Sequence, residues 1–418
     1  MEKIYLTELF IENVRHLKDI TIPLSEKEIK HLILTGRNGS GKTSVIESLS
    51  HYLGAVAASE QLKQTVDFLK YHEKALKELQ AQGEKSSKII EEERAFRHYK
   101  TEFEKLKSGV DLKFNQPVNK VRYSFEKGDF VLAYYKADRI FYAQVSDHIE
   151  KVELKDKYEI TETPRELFVK YLVDLKVTEA LARNGGKSEK ADAIKEWFEK
   201  FQNLLRRIFD DDSLELIFDE DTFSFSIKEK NRDLFDFNTL SSGFAAVLDI
   251  ILDLIVRMEK KTQRSFDFNI PGIVLIDEIE THLHIELQKS VLSLLTTIFP
   301  NVQFIMSTHS PFILNSLPNV VIYDLENKII VKNENGLTNV PYEGIVEGYF
   351  ESSEMSDLLK RNFERYKELV KKEKLTDDDF EEIAKLEIYL DEIPDYLALD
   401  LTTEYQQLKL EFENRGDI

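Results

Sequence analysis

One stretch of this chain restricts its fold more than any other. An apolar run, residues 32–34, leads into Gly36-Arg37-Asn38-Gly39-Ser40-Gly41-Lys42-Thr43, and apolar residues at helical spacing follow at 45–49. Strand, glycine-rich loop and helix in this order are the context of a phosphate-binding P-loop, whose backbone N–H groups point at an anion. A chance glycine-rich turn would lack these flanks, so the sequence predicts a nucleotide site at this loop.

The residue types within the loop predict individual roles. Lys42 should reach the β- and γ-phosphates of a nucleoside triphosphate, and the Thr43 hydroxyl should hold Mg²⁺. The residues expected to surround the phosphates are Gly36, Asn38, Gly39, Ser40, Gly41, Lys42, Thr43 and Ser44.

Composition excludes several other kinds of site. The 418 residues include 77 acidic and 57 basic side chains, a net charge of -20, and no cysteine. Without cysteine there are no disulfides, zinc–thiolate sites or cysteine nucleophile. The acidic surface argues against coating nucleic acid through overall charge, which leaves nucleic acid as a partner only through a local basic patch. Asp249 and Asp253 interrupt the longest apolar run, residues 247–256, which is too short to span a bilayer. We therefore expect a cytoplasmic protein with no membrane segment.

A second buried strand ends in two carboxylates. Residues 272–276 are apolar, and Asp277 and Glu278 follow them, which is a Walker B arrangement. Asp277 should hold Mg²⁺ through water, and Glu278 should accept a proton from the attacking water or orient it. Two adjacent acids could form a mere turn, but downstream of a P-loop they predict the metal and base of a phosphoryl-transfer site.

Two further motifs flank this strand. The segment Thr239-Leu240-Ser241-Ser242-Gly243 precedes a helical pattern, and a serine–glycine turn that opens a helix can bind an anion through Ser241 and Gly243. A simple helix cap is the alternative. Downstream, an apolar strand at residues 302–306 delivers His309, whose imidazole could contact the γ-phosphate or the attacking water.

The remaining pattern predicts helices and short strand pairs. Apolar residues at steps of three, four and seven on both sides of Gly83 predict two amphipathic helices, each about 35 Å long, in an antiparallel coiled-coil hairpin. An ordinary pair of surface helices is the alternative. Helices are also predicted from 164 to 209 and from 349 onward. Strand pairs are predicted at 121–125 with 130–135, at 214–218 with 223–227, and at 320–323 with 328–331.

Taken together, four motifs resemble the ABC-type ATPase heads of the SMC, RecF and OLD class. The matching segments are residues 36–43, 240–243, 277–284 and 307–311. The resemblance implies an α/β fold: a P-loop NTPase head of the ABC type with a mixed sheet, an antiparallel β lobe, an inserted helical hairpin and a helical C-terminal tail. The head would comprise residues 1–58 and 109–346, the hairpin residues 59–108, and the helical region residues 347–418.

The same resemblance implies how such heads assemble. Two heads would sandwich two ATP molecules, with Ser241 and Gly243 contacting the γ-phosphate held by the other head and residues 280–284 at the seam. Ser242 and Phe244 depart from the glycine and glutamine of transporter signatures. Gln144 is only a weak match to the glutamine of a Q-loop.

More narrowly, the short hairpin, the His-Leu-His segment at 282–284 and the helical tail resemble the ATPase subunits of bacterial anti-phage systems such as PARIS and Septu. This resemblance implies an ATPase using ATP and Mg²⁺, a homodimer or higher homo-oligomer, and a separate effector nuclease of the TOPRIM or HNH type. A RecF- or SMC-like ATPase of DNA repair or chromosome maintenance, which binds DNA directly, is the alternative. A built-in nuclease is not expected, because residues 339–343 make a poor buried strand.

Overall fold

The computed structural model describes residues 2–81, 87–139, 142, 149–230, 232–332, 336–342, 344–345, 357–372, 374–391, 393 and 399–415. The chain divides into two compact units, Met1–Tyr342 and Glu343–Ile418.

The first unit combines two larger sheets, one small strand pair and the helices around them. Its strands are β1 (Leu6–Val14), β2 (Leu17–Pro23), β3 (His31–Thr35), β4 (Val110–Phe114), β5 (Val131–Tyr135), β6 (Glu215–Asp219), β7 (Ser224–Lys228), β8 (Gly272–Ile276), β9 (Val302–Ser307), β10 (Val320–Asp324) and β11 (Ile329–Val331). Its helices are α1 (Lys42–Ala58), α2 (Glu60–Ala81), α3 (Ser87–Lys107), α4 (Val118–Glu126), α5 (Phe168–Asn184), α6 (Ser188–Phe209), α7 (Ser242–Thr262), α8 (Ile285–Ile298) and α9 (Pro311–Leu314).

The two larger sheets have different connectivity. One is a three-stranded antiparallel lobe in the order β2-β1-β4, and the other has six strands in the order β11-β10-β3-β9-β8-β5. Neighbours from β10 to β5 run parallel, while β11 pairs antiparallel with β10. The predicted fold class, α/β with a mixed sheet and a separate antiparallel lobe, is confirmed.

The central strands show why the apolar runs do not alternate. Every residue of β3, β8 and β9 is buried, as required of parallel strands that are covered on both faces. Helix α1 covers one face, and its Val45, Ile46 and Leu49 share an apolar cluster with Leu34 and Leu275. The strand before the P-loop and the helix after it are therefore fixed by one core.

The predicted helical hairpin is present as α2 and α3, although its predicted junction at Gly83 lies outside the described residues. Contacts between the two helices include stacked rings of Phe68 and Tyr99, with centroids 4.9 Å apart, and a 2.5 Å hydrogen bond between His72 Nδ1 and Glu92 Oε2. The fully buried residues lie near the base, where Leu62 joins the core of the head.

One predicted strand is wrong. Residues 121–125 lie within the helix α4, and only the second member of that predicted pair is a strand, β5. Val121 and Phe125 are buried while Tyr123 is 60% exposed. A spacing of four residues satisfies both a strand and a helix, and the exposed residue between them is what distinguishes the two. The other two predicted strand pairs are present as β6–β7 and β10–β11.

The described part of the second unit is helical, as predicted. Its helices are α10 (Asp357–Val370), α11 (Asp377–Asp391) and α12 (Leu399–Glu413). They enclose a small core of their own that includes Phe363, Tyr366 and Tyr405. Among the helices that the structure describes, none has the length and apolar character needed to cross a membrane.

Candidate nucleotide-binding and hydrolysis site

Three of the four motifs meet at one edge of the large sheet. In this sheet β9 lies between β3 and β8, and the three strands are parallel, so their carboxyl ends are neighbours. The P-loop follows β3, the Asp277–Glu278 pair follows β8, and His309 follows β9. This edge is where open α/β sheets bind their ligands.

Left-handed glycines shape the P-loop. The φ angles are +131° at Gly36, +86° at Gly39 and +98° at Gly41. A Cβ added at Gly41 would lie 2.9 Å from Leu17 Cδ1, a side-chain end that can move, so the positive φ is the main reason for glycine at this position. The loop leads directly into the N-terminus of α1, where backbone N–H groups and the helix dipole favour an anion. This cradle fits a phosphate group.

The P-loop lysine lies folded against its own loop. Lys42 Nζ donates to the carbonyl oxygens of Gly36 at 2.8 Å and Arg37 at 3.1 Å. Burial lowers the pKa of Lys42, and the carboxylates of Glu278 and Glu280 oppose that shift. The ammonium group thus lies within electrostatic range of the acids that follow β8.

A hydroxyl and a carboxylate form the candidate metal site. Thr43 Oγ1 donates to Asp277 Oδ1 at 3.3 Å, and Ser307 Oγ donates to the same oxygen at 2.5 Å. Asp277 is buried, whereas Thr43 is exposed at the mouth of the site. Hydroxyl and carboxylate oxygens are hard ligands of the kind that Mg²⁺ prefers, so this pair fits the ion that the sequence predicts.

Glu278 lies in a constrained turn. Its φ is +45°, a left-handed conformation that costs energy for a residue with a side chain. Its N–H donates to Ser307 Oγ at 2.8 Å, and Thr281 Oγ1 lies 3.5 Å from its carboxylate oxygen Oε2. The carboxylate is half-buried, which suits a base that must reach a substrate.

A second carboxylate holds the segment that carries His309. Glu280 Oε2 accepts from Thr308 Oγ1 at 2.8 Å, and Glu280 Oε1 accepts from the His309 N–H at 2.5 Å. Burial and the nearby Lys42 ammonium lower the pKa of His309, so the imidazole is neutral at pH 7. The ends of β8 and β9 are therefore joined through Glu280.

The fourth motif packs against the segment that follows Glu278 rather than against the P-loop. Ser241 precedes α7 and is exposed, as is Ser242, while Gly243 is buried. A Cβ at Gly243 would lie 3.0 Å from the carbonyl oxygen of His282 and 3.3 Å from His284 Nε2. Within the part of the chain that the structure describes, no hydrogen bond or ion pair joins residues 241–243 to the P-loop.

The structure thus brings together Lys42, Thr43, Asp277, Glu278 and His309 but leaves Ser241 and Gly243 outside this group. Gln144, the weak Q-loop match, lies outside the described residues. The motifs contained Glu280 and Ser307, but their structural roles were not predicted. A sequence signal existed for both, since Ser307 is the polar last residue of β9 and Glu280 follows β8 by four residues.

One family model matches most of the chain. The model described as "AAA domain, putative AbiEii toxin, Type IV TA system" matches residues 32–315. The chain belongs to this family. The matched span contains all four motifs identified in the sequence.

The chain is similar in sequence to parts of a retron protein and a Septu protein. Over 228 residues the chain is 30% identical to "Retron Ec83 probable ATPase" of Escherichia coli. This match covers 54% of this chain and 38% of that protein. Over 95 residues the chain is 38% identical to "Septu protein PtuA" of Bacillus mycoides (strain KBAB4). That match covers 23% of this chain and 12% of the Septu protein. The matches thus span well under two thirds of these relatives. The predicted resemblance to Septu proteins is confirmed.

Among solved structures, the chain is similar to the SMC head domain from Thermotoga maritima, with a TM-score of 0.37 and 12% identity. The match covers 78% of this chain and 97% of that one.

Proposed function

We propose that this chain is an ATPase head that binds Mg-ATP and hydrolyses it to ADP and phosphate. The observation that carries the proposal is the 3.3 Å contact between Thr43 Oγ1 and Asp277 Oδ1, because it joins a P-loop hydroxyl to a strand-end carboxylate from a distant part of the chain. Such a pair is the shared metal position of P-loop NTPases.

The residues around this pair have separable tasks. The N–H groups of the P-loop bind phosphate oxygens, and Lys42 exchanges the carbonyls of Gly36 and Arg37 for phosphate oxygens when substrate arrives. Mg²⁺ bound at Thr43 and, through water, at Asp277 would offset the charge on the phosphates. Glu278 accepts the proton of the attacking water, and the neutral His309 orients that water or contacts the γ-phosphate.

We further propose that the site is completed by a second copy of the chain. Ser241 and Gly243 stand at the N-terminus of α7, which favours an anion, and the exposed Ser241 is available to a ligand held elsewhere. The γ-phosphate bound by one head would then contact Ser241 of the other. A homodimer, or a higher homo-oligomer built from such pairs, follows from this arrangement.

The biological role that we propose is anti-phage defence, in which head closure controls a separate effector nuclease of the TOPRIM or HNH type. The support is the similarity to a Septu protein and to a retron ATPase. Direct DNA binding by a RecF- or SMC-like ATPase is the competing role.

Two experiments test these proposals. Phosphate release by the purified chain should require ATP and Mg²⁺ and should stop when EDTA removes the metal; release unaffected by EDTA would contradict the metal site. For the biological role, cells carrying the chain with its neighbouring genes should resist phage, and Lys42→Ala should abolish that resistance. Tight, ATP-dependent binding of duplex DNA without phage resistance would favour the competing role.

A further inference from the structure

A buried arginine that belongs to none of the four motifs contacts the turn that carries Glu278. Arg139 follows β5 by four residues and is 6% exposed. Its Nη1 donates to the carbonyl oxygen of Asp277 at 2.8 Å, and its Nη2 donates to those of Glu278 and Ile279, each at 3.2 Å. One guanidinium group therefore bonds three consecutive carbonyls of the turn after β8.

The N–H groups of the same turn are held from the other side. The Asp277 N–H donates to the Tyr135 carbonyl at 2.8 Å, and the Ile279 N–H donates to the Ser307 carbonyl at 3.2 Å. The Glu278 carbonyl also accepts from the Thr281 N–H at 3.0 Å. Neighbouring strands thus accept hydrogen bonds from the N–H groups of the turn, while Arg139 donates hydrogen bonds to its carbonyls.

The backbone conformation of Glu278 requires stabilisation of this kind. A left-handed φ at a residue with a side chain persists only where the surroundings determine it. Buried carbonyls without donors would cost further free energy. The planar fork of an arginine can bond several carbonyls at once, which a lysine ammonium on its flexible stem does not reproduce.

The positive charge of Arg139 is buried without a carboxylate bonded directly to it. The Nη contacts of Arg139 are with neutral carbonyls, including that of Lys136 at 3.0 Å, and its buried Nε has no partner among the described residues. Burial lowers the pKa of Arg139, and the charges of Asp249, Glu280, Asp277 and Glu278 oppose that shift without forming a direct ion pair. A buried cation bonded to backbone rather than to a carboxylate indicates that holding this backbone is its role.

We propose that Arg139 is a positioning residue for Glu278: its guanidinium fixes the backbone of residues 277–279 so that the Glu278 carboxylate is directed at the attacking water. This inference rests on the proposed role of Glu278 as the base. In this role Arg139 acts through the backbone of the turn and is not itself a catalytic residue. Its loss should therefore lower kcat while ATP binding through the P-loop is retained.

The test compares Arg139→Ala and Arg139→Lys with a matched control, Arg122→Ala. Arg122 also donates to backbone carbonyls, those of Val56 and Ser59, but at the end of α1 away from the site. Both Arg139 variants should lose kcat by on the order of 10- to 100-fold, as expected for a base displaced by about 1 Å. The Kd for ATP should change little, and Arg122→Ala should retain both values.

Two readouts separate positioning from general damage. Free guanidinium at millimolar, non-denaturing concentration should restore part of the kcat of Arg139→Ala and should leave the kcat of Arg122→Ala unchanged. Hydrogen exchange measured without nucleotide should be faster at residues 277–279 in both Arg139 variants and unchanged elsewhere in the sheet. If Arg139→Ala does not fold, Arg139→Lys, which keeps the charge, carries the comparison.

Three outcomes would overturn the inference. Unchanged exchange at residues 277–279 would show that Arg139 does not hold the turn, whatever the ATPase rate. Faster exchange with normal kcat would show that the turn does not position the base. A fall in ATP affinity that matches the fall in kcat/KM would assign Arg139 to binding instead. If the wild-type chain hydrolyses no ATP, the proposed function fails, and hydrogen exchange still decides whether Arg139 holds the turn.

Discussion

The turn after β8 and the segment that opens α7 differ in how they are held. The turn is bonded on all sides: its N–H groups to β5 and β9, its carbonyls to Arg139, and its Glu280 to the residues after β9. Ser241 and Ser242, by contrast, are exposed, and the Ser241 carbonyl simply accepts the first helical bond of α7 from Ala245. The turn after β8 is thus already held in place within a single chain, whereas the segment that opens α7 is exposed to solvent.

This difference supports our proposal that the site is largely assembled within one chain and is completed by another. Groups held in place before substrate binds need no costly rearrangement during the reaction. A helix N-terminus at the surface can bind an anion carried by another molecule. We therefore propose that the assembled region performs the chemistry, whereas the exposed segment makes that chemistry depend on association.

The largest expected effect is at the base. Glu278→Gln keeps the size of the side chain but removes its ability to take a proton, so the hydrolysis rate should fall by about 10²- to 10⁴-fold. ATP binding should persist, and the ATP-bound assembly should accumulate. Single-turnover phosphate release and size-exclusion chromatography with ATP measure the two effects. Hydrolysis at the normal rate would show that the assembled region lacks the base that we assign.

The next effect is on ATP affinity. Lys42→Ala removes a cation from the phosphate site, and a charged hydrogen bond contributes about 2–3 kcal/mol, so Kd should rise on the order of 100-fold. Calorimetric titration with ATP measures this change. Lys18→Ala, at an exposed lysine of β2, is the control and should bind normally. Unchanged affinity in Lys42→Ala would defeat the P-loop assignment.

A smaller effect is expected in the exposed segment. Ser241→Arg places a bulky side chain where the partner's phosphate would lie, so ATP-dependent association should weaken by at least about 10-fold, or 1.4 kcal/mol. Binding of ATP to the single chain should be retained. Ser188→Arg, at the exposed start of α6, is the matched control. Analytical ultracentrifugation with ATP distinguishes the two variants, and equal association would contradict a role for Ser241 between chains.

The sequence predicted which side chains lie together where chemistry requires certain residue types at fixed distances from a strand end. Lys42 and Thr43 follow a buried strand, as do Asp277 and Glu278, and their meeting follows from the parallel order of β3, β9 and β8. The strand predicted at 121–125 was wrong because Val121 and Phe125 satisfy two periodicities at once, which only the exposure of Tyr123 resolves.

Arg139 could not be found in this way. It bonds residues 277–279 because β5 and β8 are neighbours in the sheet, and no local pattern reveals which strands will pair across more than a hundred residues. Its contacts are with backbone carbonyls, which every residue type provides, so the partner segment carries no complementary signal. Glu280 and Ser307 lay within recognised segments, but their bonds likewise depend on β8 and β9 being adjacent.

The most direct test of a site shared between chains is to mix two inactive variants. Lys42→Ala has an intact Ser241 but a defective P-loop. Ser241→Arg has an intact P-loop but lacks Ser241. In a mixed dimer one intact P-loop faces one intact Ser241, so an equimolar mixture should recover up to roughly a quarter of the wild-type hydrolysis rate. A mixture no more active than the two variants measured separately would contradict the account.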